Sequence, residues 1–146
     1  MKRFKVIMLL LSSLLSFQAN AVYEVPNPQL NDIAMIQYHP VYGAVIFYNP
    51  TICQQIGLAC GFFRAHEYGH FVHHHQLMPP GDYAAAKEAE ADCWAASNGI
   101  PQEILAAYYL FMNGGSSSNV QVYGFPQQRA NRVRQCAIQA GRWIGP

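Results

Sequence analysis

Charge is scarce in this chain, and its scarcity narrows the partners. The 146 residues include nine Lys and Arg, eight Asp and Glu, and six His. Three of the basic residues, Lys2, Arg3 and Lys5, crowd the start. Beyond residue 21, six basic residues face eight acidic ones, a formal −2, so no net charge draws the chain to nucleic acid. Arg129, Arg132, Arg134 and Arg142 cluster late, but no aromatic residues interleave them for base stacking. A solvated helix face accounts for them. The apolar run at 6–17, broken by Ser12, Ser13 and Ser16, is too short to span a bilayer comfortably. No internal repeat is visible, and no Cys-x-x-Cys spacing supports cysteine ligation of a metal.

What stands at the start has the form of an export signal. A positive segment precedes the apolar run, and Ala19-Asn20-Ala21 supplies the small-x-small cleavage pattern. Cleavage after Ala21 is expected, giving a periplasmic or secreted protein with no stable membrane insertion. No cysteine at the cleavage point indicates a lipid anchor. Residues 22–146 then number 125, enough for one domain with one core. Cys53, Cys60, Cys93 and Cys136 all lie in this part, and an even count in an oxidising compartment favours two disulfides. Three pairings exist. The preferred one joins Cys93 to Cys136, tying a carboxylate-bearing helix to the last helix, and leaves Cys53 with Cys60 as a local loop.

The chain is organised around His66-Glu67-Tyr68-Gly69-His70, followed by Glu88-Ala89-Glu90-Ala91-Asp92. Residues four apart on a helix share a face, so His66 and His70 present two imidazoles to one cation. That is how a His-Glu-x-x-His helix binds zinc, with the glutamate beside the water that the metal activates. A catalytic zinc takes a third protein ligand and keeps one position open. Glu88, on a second helix, is placed to be that ligand. Asp92, one turn further, is the natural acceptor for a ligand histidine's other N–H. Glu90 points some 200° around the helix from Glu88 and is not expected to ligate. His73, His74 and His75 are expected as surface residues at a helix end.

Around these motifs the pattern predicts α+β architecture: a small antiparallel sheet packed on about four helices. Residues 33–37 and 44–48 are β-branched and aromatic, with a turn between them, and form a hairpin. Residues 22–31 are an extended lead-in. Thr51 is a candidate cap for a short helical turn. Apolar spacing predicts a helix over 58–76, with Gly69 tolerable if another backbone passes close by. Pro79-Pro80-Gly81 ends it, Asp82 caps the next helix, and Gly99 stops that one. Pro101 opens a core helix over 102–112, residues 114–119 form a loop, 120–123 are extended, and Pro126 starts the last helix.

His66-Glu67-x-x-His70 with Glu88-x-x-x-Asp92 resembles the gluzincin clan of zinc metallopeptidases. The Glu-x-Glu-Ala-Asp wording, followed by Trp94-Ala95-Ala96, is most similar to the prenyl-protein endopeptidase and heat-shock membrane protease group and its small soluble minigluzincin relatives. The resemblance implies Zn2+ held by His66, His70 and Glu88, Glu67 as the catalytic glutamate, and Asp92 as an outer partner. It matches residues 44–49 to an edge strand on which a substrate backbone pairs. The membrane enzymes carry a late His-Pro-x-x-x-x-Arg pattern. Here Arg129 matches its arginine, and Tyr123 stands near the histidine's place, where a hydroxyl can also stabilise an oxyanion.

The function expected is zinc-dependent hydrolysis of peptide bonds, with a peptide or unfolded protein as substrate and Glu67 as general base and acid. Two alternatives stand beside it: a non-catalytic zinc-stabilised binding protein, and a hydrolase of cell-wall peptides. The retained Glu67 argues against the first, because a structural zinc needs no base.

Overall fold

Three short strands set the frame on which the helices hang. The structure, a computed structural model, describes residues 22–79, 81, 83–116 and 119–146. The expected export signal at 1–21, its cleavage point, Pro80 and the Asp82 cap lie outside the described residues. Strands β2 (Ala34–His39) and β3 (Gly43–Tyr48) form the predicted antiparallel hairpin, with Ile36 opposite Ile46 and Ala34 opposite Tyr48. The lead-in contributes more than expected. Its residues Tyr23–Pro26 form β1, which pairs parallel with β3, so the sheet is mixed and ordered β1-β3-β2. That order corrects a second expectation. Residues 44–49 are not an edge; β3 is flanked on both sides, and β2 is the edge that borders the site.

Asn49, leaving β3, caps α1 (Pro50–Ile56). Its side-chain oxygen accepts the N–H groups of Thr51 and Ile52 at 2.9 and 3.2 Å, with Pro50 in the first turn. The cap is therefore Asn49, not Thr51. Helix α2 (Ala59–Val72) follows and buries Phe62, Phe63, His66 and Gly69 on one side. Phe62, Phe63 and Phe111 meet edge to face, with ring centroids 5.7–5.9 Å apart, at the centre of the core. Helices α3 (Ala84–Asn98), α4 (Pro101–Met112) and α6 (Pro126–Gln139) close around them with small apolar side chains, among them Ala95, Ala96, Ala107, Ala130 and Val133. Residues Val120–Tyr123 are one helical turn, α5, rather than a strand. Asn119 accepts the Gln121 N–H and outweighs the β propensity of the two valines.

Gly69 explains how closely α2 and α3 approach. A Cβ there would stand 2.9 Å from the Ala91 Cα and 3.0 Å from its carbonyl oxygen. The backbone that passes close by is thus that of α3. Both expected disulfides are present: Cys53–Cys60 ties α1 to α2, and Cys93–Cys136 ties α3 to α6. Among the described residues there is no free cysteine, and no helix is long and apolar enough to cross a membrane.

Candidate metal centre

Close approach of α2 and α3 brings their polar side chains into one cluster. His66 and His70, one turn apart on α2, bring their Nε2 atoms to 3.0 Å. From α3, Glu88 Oε2 lies 2.9 Å from His66 Nε2 and 3.4 Å from His70 Nε2. Two imidazole nitrogens and a carboxylate oxygen thus converge on one point, a donor set suited to a divalent transition-metal cation. Glu67 adjoins the same space, since donor atoms of His66, Glu67 and His70 fall within 4.8 Å of one another, and this His-Glu-His group can itself hold a metal. Glu88 lies closer to both imidazoles. Glu67 Oε2 is occupied by the backbone N–H of Ile36 on β2, at 2.9 Å.

Each imidazole is held from behind. His66 Nδ1 donates to Asp92 Oδ1 at 2.9 Å, and Asp92 is fully buried. Arg129 grips both Asp92 oxygens, from Nε at 2.9 Å and Nη2 at 2.8 Å, while Arg132 donates from Nη2 at 2.9 Å. A buried carboxylate without partners would be costly, and here three cations or potential cations surround it. Burial alone would push Asp92 up. The hydrogen bond from His66 and the Arg129 charge reverse this and hold it well below the usual carboxylate range.

Arg129 and Arg132 therefore do not lie on a solvated helix face, as their spacing suggests. Arg129 is buried, donates from Nη1 to the Ser116 carbonyl, and lies over the Phe111 and Tyr123 rings at 4.5 and 4.9 Å. Its donors go to Asp92 and the Ser116 carbonyl, so it positions Asp92 at the border of the cleft. Arg132 also donates to the Tyr123 carbonyl. Of the remaining pair, Arg134 stacks against Trp143 and reaches the Pro146 carbonyl.

His75 overturns another expectation. It is buried, not a surface residue. After α2, His74 takes the left-handed conformation (φ 56°), and the chain doubles back so that His75 lies beneath His70. The two Nδ1 atoms are 2.8 Å apart, and His75 Nε2 meets Glu90 at 2.9 Å. Glu90, which was not expected to ligate, is the far end of this chain. The signal available in the sequence was the run His73-His74-His75; helical phase could not use it, because the helix has ended. Burial pushes the His75 pKa down, against the opposing pull of Glu90.

These contacts tune the groups that face the cleft. Burial lowers the His66 pKa, but hydrogen bonds to Asp92 and Glu88 outweigh it and hold the imidazole up at about 9. Glu88, pushed up by burial and pulled down by the two histidines, comes to about 2. Glu67 moves the other way: burial raises it above an ordinary glutamate, despite His66, His70 and the Ile36 N–H. Tyr123 is pushed to about 12 by burial, then by the carboxylates of Glu88 and Asp32. His66, Glu67, Tyr123 and Arg129 line one open cavity of about 430 Å³, with Ile33, Ile52 and Phe63 as apolar walls.

Compared with known proteins, the chain matches no family model, no curated protein and no solved structure.

Proposed function

We propose that this protein is a zinc-dependent peptidase of the gluzincin type, acting outside the cytoplasm. The observation that carries this reading is the convergence of His66, His70 and Glu88 from two helices, their donor atoms 2.9–3.4 Å apart, with Glu67 beside them in a cleft. His66, His70 and Glu88 would hold the ion. When bound, it supplies Lewis acidity, polarising a carbonyl and lowering the pKa of water.

The rest of the chemistry belongs to the protein's own groups. Hydrolysis of an amide adds hydroxyl to the carbonyl carbon and a proton to the leaving nitrogen. Glu67 takes the proton from the attacking water and returns it to that nitrogen. Burial raises its pKa and makes it a stronger base than an ordinary glutamate. Tyr123, protonated up to about 12, keeps a hydroxyl donor for the developing oxyanion. The outer edge of β2, which has no strand beside it and gives its Ile36 N–H to Glu67, offers an extended peptide backbone a strand to pair with. The two disulfides support an oxidising compartment.

The test is Glu67→Gln, assayed on an unfolded protein substrate. An amide keeps the acceptor for the Ile36 N–H but cannot take a proton from water. Zinc content should stay at one per chain, while hydrolysis falls by about 10²–10⁴-fold. A Glu67→Gln protein that cleaves as fast as wild type would end the mechanism. Wild-type protein that takes up no zinc would end the metal assignment.

A further inference from the structure

We infer that His75 and Glu90 act as a positioning relay that fixes which nitrogen of His70 faces the metal site. This rests on the metal-site reading above, and it follows from how hydrogens must be distributed along three short contacts. Glu90 can only accept when ionised, so His75 Nε2, 2.9 Å away, is the donor. A neutral imidazole has one N–H, so His75 Nδ1 is then an acceptor. His70 Nδ1, 2.8 Å from it, must be the N–H. That leaves the lone pair of His70 on Nε2, the atom that meets His66 and Glu88. One carboxylate at the protein surface thus sets the tautomer of a ligand histidine two residues removed.

The two ligand histidines are backed in different ways. His66 leans on a buried carboxylate, pinned by two arginines. His70 leans on a second imidazole, 3% exposed, whose far nitrogen reaches Glu90, a side chain 56% exposed. Ligand histidines ordinarily donate their second N–H to a carboxylate, a carbonyl or water. Here an imidazole takes that place, and it is available because His74 turns the chain back under α2. The contact also orients the ring: His70 and His75 meet edge to face at 5.0 Å, and His73 stacks on the outer side of His75 at 5.5 Å.

The experiment uses the full exported protein and two readouts. The first is zinc affinity, by competition with a chromophoric chelator, for wild type, His75→Leu, His75→Gln and Glu90→Gln. Glutamine can accept from His70 with its oxygen and donate to Glu90 with its nitrogen, whereas leucine fills space alone. We expect His75→Leu to weaken zinc by about 10–100-fold, and His75→Gln to recover most of that loss. Equal affinity in the Leu and Gln variants would reduce His75 to packing and overturn the relay. The second readout is the tautomeric state of wild-type His70 and His75 in the zinc-free protein, from long-range ¹H–¹⁵N correlations. Nδ1–H on His70 with Nε2–H on His75 supports the relay; Nε2–H on His70 overturns it. Should His75→Leu not fold, the wild-type tautomers still decide. Wild type without zinc would sink the metal reading, and the tautomers alone would then settle the relay.

Discussion

Replacing Gly69 with alanine separates helix propensity from helix approach, because the two pull in opposite directions there. Alanine in mid-helix is worth about 1 kcal/mol over glycine, so propensity alone predicts a more stable protein. The added Cβ, however, would meet the Ala91 Cα at 2.9 Å, its oxygen at 3.0 Å and the Trp94 Cβ at 3.2 Å. Carbon atoms rest at about 3.5–4.0 Å, so α2 and α3 must part locally by roughly 0.6–1 Å. Two of those three atoms are backbone and cannot rotate away. Overpacking of this kind costs about 1–3 kcal/mol, which offsets the propensity gain and leaves a net loss of up to about 2 kcal/mol. For a domain of this size that is a drop of up to roughly 10 °C in Tm.

The consequence at the site is sharper than the loss of stability. His66 and His70 move together on α2, but Glu88 rides on α3, and its 2.9 and 3.4 Å approaches would open with the helices. Gly61, on the same helix, is the control. The three atoms nearest its added Cβ all belong to the Glu103 carboxylate, the far end of a flexible side chain. Gly61→Ala should therefore hold or raise Tm and leave zinc binding unchanged. Differential scanning calorimetry, with zinc titration of both variants, reads the contrast. If Gly69→Ala melts no lower than Gly61→Ala and binds zinc as wild type does, the close crossing of α2 and α3 is refuted.

Three further outcomes follow from the site. Asp92→Asn should cost about 3–5 kcal/mol in chemical denaturation, because Arg129 and Arg132 lose their counter-charge inside the protein; a loss under 1 kcal/mol would contradict the buried cluster. Zinc uptake should release about one proton at pH 7.5, since His66 is held protonated up to about 9 and must surrender that proton to ligate. Apparent affinity should accordingly rise with pH and level off near 9; calorimetry in buffers of different ionisation enthalpy that finds no proton release would count against this. Cys93→Ser with Cys136→Ser should cost about 2–4 kcal/mol by urea denaturation, and an unchanged midpoint would mean the bond constrains little.

Which features were legible in the sequence follows a physical line. Periodicity carried the helix over Ala59–Val72, and with it the shared face of His66 and His70. Compartment logic carried both disulfides, once Cys93 and Cys136 were assigned to facing helices. Features that depend on long-range pairing stayed hidden. Nothing in Tyr23–Pro26 announces a parallel partner in Gly43–Tyr48, and strand order is a tertiary property. Arginines on an amphipathic helix look solvated until a buried carboxylate 37 positions away claims one of them, as Asp92 claims Arg129. His75 escaped because helical phase ends at Val72, and a left-handed residue then resets direction.

The Cys93–Cys136 bond has a topological effect beyond stability. It closes a ring across a sequence separation of 43, and that ring contains the exposed residues Met112, Asn113 and Gly114 at the end of α4, where the chain enters a loop of the kind proteases cut first. A chain severed there stays a single molecule. Its second piece still begins upstream of Arg129, and the bond that keeps the piece attached lies next to Asp92. A protein exposed to proteases would thus be nicked without shedding the two cations that hold its buried carboxylate. Such a cut would go unseen on a non-reducing gel and would show as two fragments only after the thiols were reduced.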